Sequence, residues 1–182
     1  YQMRLIAALI VLLSLALPAA ARPLSEEETA SLAKAVDSYI RATSSGDAVK
    51  IVKAIPPRIL NIFAGSAGIE AKKLEKTLVD QTEVMTKGVK ISDASAVKEG
   101  LNAEDAVLAD GTPVTWVVVP TAFTAETGGK TTRNEQPPLA LSEGGKWYFM
   151  RLDGAQQKQL AAIAYPFLAD AEIPDGTVTP MN

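Results

Sequence analysis

Apolar residues in this chain change their spacing at Gly88. Before it they recur every three to four positions. After it they alternate or run together between Gly and Pro pairs, so a helical half precedes a β half. Ser25 and Glu28 form a Ser-x-x-Glu capping box, in which hydroxyl and carboxylate each accept an orphan backbone N–H. A helix is therefore expected from Ser25 through the stripe Leu32, Val36, Tyr39 and Ile40 to Ser44-Ser45-Gly46. Asp47 is expected to cap a short helix carrying Val49, Ile51, Val52 and Ile55. Pro56-Pro57 ends it and suits the first turn of a third helix over Arg58 to Ala64, after which Gly65 and Gly68 bracket a loop. Ile69 to Thr86 is helical again, with Leu74, Leu78 and Met85 on its apolar side and Gly88 as its stop.

Beyond Gly88, Val89 to Ser92 alternates, Ala106 to Ala109 is a short apolar run, and Asp110-Gly111 marks a hairpin. One long strand is expected over Pro113 to Glu126, turning at Gly128-Gly129 into a second over Lys130 to Ser142. Pro137-Pro138 lacks two N–H donors, so the second strand is bulged or at an edge there. Gly144-Gly145 leads into Lys146 to Leu152. A last helix, Ala155 to Leu168, has the stripe Leu160, Ile163, Ala164 and Phe167, and Pro166 should kink or end it near Tyr165. The expected fold class is α+β, with N-terminal helices packed on a curved antiparallel sheet and an extra C-terminal helix. The expected division is a signal peptide over 1–21, one domain over 22–168, and a loosely ordered tail over 169–182, where Pro174, Asp175-Gly176 and Pro180 leave little to pack.

The signal assignment rests on Arg4, the apolar run from Leu5, Pro18, and small residues Ala19-Ala20-Ala21 before a cut after Ala21; Met3 is read as the initiator. The run falls short of the about 20 apolar residues of a spanning helix. A periplasmic or secreted location follows. The chain has no Cys, so packing must hold it together in an oxidising compartment and no lipid-anchoring cysteine is present. No Asn-x-Ser/Thr acceptor occurs, which fits a bacterial origin. It also has no His, which removes the commonest general base and metal ligand. No metal and no cofactor are expected. With 18 basic residues against 21 acidic ones, a net charge of −3 and no basic tract, nucleic acid is not an expected partner.

Three stretches carry a family resemblance: Asp47 to Pro57 after an apolar helix, Thr115-Trp116-Val117-Val118-Val119-Pro120, and Glu143-Gly144-Gly145-Lys146-Trp147-Tyr148-Phe149. They resemble the NTF2-like (cystatin-like) superfamily in its exported bacterial branch. The resemblance implies a cone between helices and sheet, and it implies sheet-to-sheet dimers, which are common in that superfamily. It leaves function open, because ketosteroid-isomerase-like enzymes, cyclases and transport factors share the fold. The closing helix is an addition that the simplest members lack.

Residues able to carry chemistry are few. Ser31-x-x-Lys34 and Ser95-x-x-Lys98 match the spacing of a lysine-activated serine, without the companion motifs of that chemistry. Tyr39 as oxyanion donor with Asp80 or Glu83 as base would make an isomerase site, yet nothing in the spacing links a base to the tyrosine. Arg133 offers a fork for a ligand carboxylate or, with Glu135, part of an exposed charge ladder. Trp147 and Tyr148 should point to opposite faces, with Arg151 a candidate to stack on Trp147. Trp116-Val117-Val118-Val119 is apolar on both faces, so either the chain covers both, with the last helix as a candidate, or the outer face meets a second copy. The apolar run containing Phe63 is a candidate pocket mouth or ordinary core. The expected ligand-binding set is Tyr39, Phe63, Trp116, Arg133 and Tyr148, with no catalytic residue assigned. Candidate partners are a small apolar ligand and a second copy through the sheet. The expected function is an exported non-catalytic domain binding a small apolar or amphipathic molecule, or a partner protein, in the envelope. The alternatives are a cofactor-independent isomerase, dehydratase or cyclase, and a structural subunit of an envelope assembly.

Overall fold

The computed structural model describes residues 20–182. The apolar segment assigned to export therefore lies, through residue 19, outside the described residues. In chain order the elements are β1 (Arg22–Pro23), α1 (Glu26–Ser45), α2 (Ala48–Lys53), α3 (Pro57–Ala67), α4 (Ala71–Thr86), β2 (Val89–Ala96), β3 (Asn102–Val107), β4 (Pro113–Val118), β5 (Thr121–Thr127), β6 (Lys130–Glu135), β7 (Leu139–Glu143), β8 (Lys146–Met150), α5 (Ala155–Ala164), a 3₁₀ turn (Pro166–Ala169) and β9 (Thr177–Met181). The fold is α+β, with two antiparallel sheets ordered β1-β3-β4-β7-β8 and β2-β5-β6-β9. None of the described helices is long and apolar enough to cross a membrane.

Helix α1 starts where the capping box places it. Ser25 Oγ accepts from Glu28 N at 3.1 Å and Glu28 Oε2 accepts from Ser25 N at 2.8 Å. Arg22 adds two guanidinium bonds, of 2.8 Å each, to the two oxygens of Glu28. The guanidinium first, and the Ser25 N–H second, hold the Glu28 carboxyl at about 2, down from its ordinary 4.5. A carboxyl depressed in the folded state stabilises above its unfolded value, and that contribution is lost as pH falls through the folded one. Glu28→Ala is accordingly expected to cost about 1–2 kcal/mol near neutral pH. Urea titrations across pH should show that cost shrinking between 4.5 and about 2 and vanishing below.

Gly46 ends α1 in the left-handed region at φ 66°, where a Cβ would also stand 3.3 Å from Thr86 Cβ. Asp47 then caps α2 through Lys50 N at 3.1 Å. Helix α3 departs from expectation by running through Gly65 to Ala67, and Gly68 ends it at φ 67°. An exposed helical glycine costs about 1 kcal/mol, less than burying Ile59, Leu60 and Ala64 on the same helix returns. In α4 no residue is fully buried, and Met85, expected on the apolar side, is 75% exposed.

Neither long strand is continuous. The first breaks at Val119-Pro120 into β4 and β5, the second at Gln136 to Pro138 into β6 and β7. Pairing carries across the break, because Val119 N donates to Pro138 O at 3.0 Å and Gln136 N to Thr121 O at 2.9 Å. The result is one hairpin bent so sharply that β4 and β7 belong to one sheet and β5 and β6 to the other. Pro120, Pro137 and Pro138 sit at the bend, where the ladder has no use for their missing N–H groups.

The five-stranded sheet is covered on both faces. Leu32 and Val36 of α1 pack with Val117, Val119, Ala140, Trp147 and Phe149. On the opposite face Trp116, Leu139, Leu141 and Met150 meet Ile59 of α3 with Ala161, Ala164, Tyr165 and Leu168. That coverage is why β4 is apolar on both sides. The outer face, which a second copy was one candidate to cover, is occupied by α5 and the 3₁₀ turn.

Two expectations at the C-terminus need correction. The buried face of α5 is Ala161 and Ala164, continued by Tyr165 and Leu168, whereas Leu160 and Ile163 are 39% and 60% exposed. Pro166 ends α5 as expected, and the tighter 3₁₀ turn then shifts the helical phase. The tail expected to be loose forms β9, which pairs with β6 from Glu135↔Thr177 to Thr131↔Met181. An open β6 edge leaves backbone groups unpaired, and Thr177-Val178-Thr179 satisfies them while Pro180 is tolerated on the outermost strand.

Candidate functional site

Tyr39 lines a small cleft between α1 and the bent hairpin. Its position in α1 faces the bent hairpin, and its ring stacks on Phe149 of β8 at 4.6 Å between centroids and 13° between planes. The cleft, of about 70 Å³, is walled by Ile40, Ile91, Ala94, Phe123 and Pro138. Thr43, Ser44, Ser95, Gln136 and Arg151 supply polar groups around these walls. Burial raises the Tyr39 phenol above its usual range, so it remains a neutral donor at physiological pH. Arg151 is the one charged lining residue, and it pairs with Asp153 at 2.8 Å. No carboxylate lines the cleft. The site can hold an apolar group and bond its polar end, but it places no base beside the phenol.

The five residues expected to bind ligand are not brought together. Trp116 and Phe63 belong to the opposite face of the five-stranded sheet, where Trp116 is 6% exposed and stacks on Phe167 at 5.8 Å. Arg133 donates to Asp93 O at 3.0 Å and to Thr124 Oγ1 at 3.2 Å. Asp93 lies in the bulge of β2 with φ 49°, so Arg133 clamps an irregular strand. Tyr148 does point away from Trp147; Lys146 Nζ sits 5.0 Å from its ring, and it lines a separate hollow with Arg58 and Glu143. Of the expected set, only Tyr39 lines the cleft. Phe123, Ile91 and Arg151 were missed. Alternation along each strand was legible, but which strands face α1 depends on the bend of the hairpin.

Of the candidate catalytic residues, Asp80, Ser31 and Lys98 are engaged elsewhere. Asp80 is 59% exposed and bound to Lys76 at 2.7 Å on the surface of α4, and neither it nor Glu83 lines the cleft. Ser31 Oγ accepts from Trp147 Nε1 at 2.9 Å and donates to Glu28 O at 3.1 Å. Lys98 pairs with Asp37 at 2.8 Å. Among the described residues no group of three or more His, Cys, Asp or Glu is placed to hold a metal ion.

A second polar centre ties the far side of the sheet together, unmarked by any motif. Glu143 Oε1 accepts from Arg58 Nε at 3.0 Å, and its Oε2 accepts from the Tyr165 hydroxyl at 2.6 Å. Arg58 Nη1 also reaches Asp110 Oδ2 at 3.1 Å. Burial first, and the neighbouring Glu143 second, push the Tyr165 phenol far above its usual range. With both carboxylate oxygens engaged, this cluster joins α3 and β7 to Tyr165, between α5 and the 3₁₀ turn, and leaves no group poised to react.

Comparison with protein-family models, curated proteins and solved structures finds no match to this chain.

Proposed function

We propose that the protein is an exported, non-catalytic domain of the NTF2-like kind that holds a small apolar or amphipathic molecule in the Tyr39 cleft. The observation that carries this reading is the lining: a neutral phenol among Ile40, Ile91, Phe123 and Pro138, with no carboxylate. An isomerase of that superfamily's type needs a base beside the phenol. The cleft, at about 70 Å³, suits a ring or a short alkyl segment rather than a drug-sized molecule. Helices over a sharply bent hairpin are in keeping with the resemblance. Arg22, the first residue after the expected cut, is anchored by Glu28 and Asp105, so a chain cut there would keep the contacts of its first residue. The most exposed apolar side chains among the described residues are Val84 and Met85 on α4, Val107 on β3, Ile163 on α5 and Val178 on β9.

Native mass spectrometry of the protein taken from its own host's periplasm tests the reading. The expected result is an adduct of discrete mass on each chain, lost in Ala94→Phe, which fills the cleft. A clean apo chain, or an adduct that survives Ala94→Phe, would overturn it.

A further inference from the structure

Behind Tyr39, α1, α2 and β8 line a second, larger and more open groove, of about 570 Å³. Its apolar lining is Ala35, Ala42, Ala54, Trp147 and Phe149, and its charged lining is Lys34, Lys50, Lys53 and Lys146. No carboxylate lines it. Four lysines around one groove run against the sign of a chain whose net charge is −3. Lys50 is partly neutralised by Asp47 at 2.8 Å. Lys34, Lys53 and Lys146 form no ion pair among the described residues, and residues 1–19 contain no Asp or Glu that could supply one. The backbone adds a donor. β8 is the outer strand of its sheet, and Phe149 N turns outward to Ala54 O at 2.8 Å. The alternation of an antiparallel pair turns Trp147 N–H to the same open side.

From this arrangement we infer that the groove binds one anionic amphiphile, a carboxylate or phosphate head on an alkyl or ring body. The head sits between Lys34 and Lys53, and the body lies on Ala35, Ala54 and the rims of Trp147 and Phe149, while the Lys146 ammonium lies over the Tyr148 ring on the other face of β8. Charge complementarity selects the anion. The shape selects a free molecule over a bilayer: a surface that enters lipid presents protruding apolar side chains, whereas Trp147 and Phe149 are only 8% and 4% exposed. This site is independent of the cleft reading, although Tyr39 lines both.

Calorimetric titration of the folded protein with octyl phosphate, octanoate and 1-octanol tests the inference. Both anions are expected to bind, 1-octanol about tenfold more weakly or worse, and added salt should weaken the anions alone. The double variant Lys34→Gln/Lys53→Gln changes two exposed side chains and should lose about tenfold in octyl phosphate affinity with an unchanged thermal melt. Ala94→Phe, in the cleft, should leave octyl phosphate binding intact, so failure of one site is distinguishable from failure of the other. Equal affinity for octyl phosphate and 1-octanol, no effect of the double variant, or no binding of either anion at millimolar concentration would each overturn the assignment. So would co-sedimentation with phosphatidylglycerol vesicles without octyl phosphate binding, which would give the lysines to a membrane.

Discussion

Leu168→Ala is expected to destabilise the protein by about 3 kcal/mol, and to lower its melting temperature by roughly 6–12 °C. Leu168 is fully buried in the 3₁₀ turn after α5, in the layer that also holds Trp116, Leu139, Leu141 and Met150. Removing its branched end leaves a cavity bounded by a sheet on one side and by α3 and α5 on the other, elements that cannot collapse independently. Ile163→Ala is the informative control. Ile163 belongs to the stripe read from spacing alone, yet it is 60% exposed, so its loss should change stability by no more than about 0.5 kcal/mol. Thermal melts of the two variants decide between the two faces of α5. If Ile163→Ala were the more damaging, the packing of the closing helix described here would be wrong.

Glu143→Ala should cost about 2–3 kcal/mol in a urea titration, the second largest effect. The substitution removes the acceptor of the Tyr165 hydroxyl and leaves Arg58 with Asp110 alone. Tyr165 is completely buried, so its orphaned O–H carries most of the penalty. Tyr165→Phe should cost about 1 kcal/mol, and the double variant less than the sum, because each substitution destroys the same bond. Strict additivity in that cycle would mean that the two side chains do not interact. The pairing also explains why the apolar outer face of β4 accommodates a tyrosine: its ring joins the core while its hydroxyl reaches the carboxylate at the end of β7.

Local signals were legible wherever a few neighbouring residues settle the backbone. Ser25 and Glu28 marked the start of α1, Gly46 its end, Asp47 the cap of α2 and Pro166 the end of α5. Gly144-Gly145 marked the turn between β7 and β8, with Trp147 and Tyr148 on opposite faces of β8. Gly65 misled because tertiary burial of its helix outweighs its weak local preference. The stripe of α5 held at Ala164 and Phe167, which pack into the core, and misled at Leu160 and Ile163, which are apolar without being buried, while the small Ala161 takes their place. The candidate site was legible only at Tyr39. Phe123 and Arg151 join it from β5 and from the chain after β8, and no spacing rule relates those positions.

What the sequence alone determined is the set of short-range choices: helices before strands, their caps, most of their turns, and an α+β class, because propensity, capping and alternation act over a few residues. What only the tertiary structure decided is how the long hairpin bends and which surfaces then meet. Pro120 and Pro137-Pro138 announce an interrupted ladder but not its angle, and that angle places β4 and β7 in one sheet and β5 and β6 in the other. From the bend follow the cleft at Tyr39, the open β6 edge that orders β9, and the coverage of both faces of β4. These depend on contacts between residues far apart in the chain, whose free energy comes from burying two surfaces together and is carried by neither segment separately.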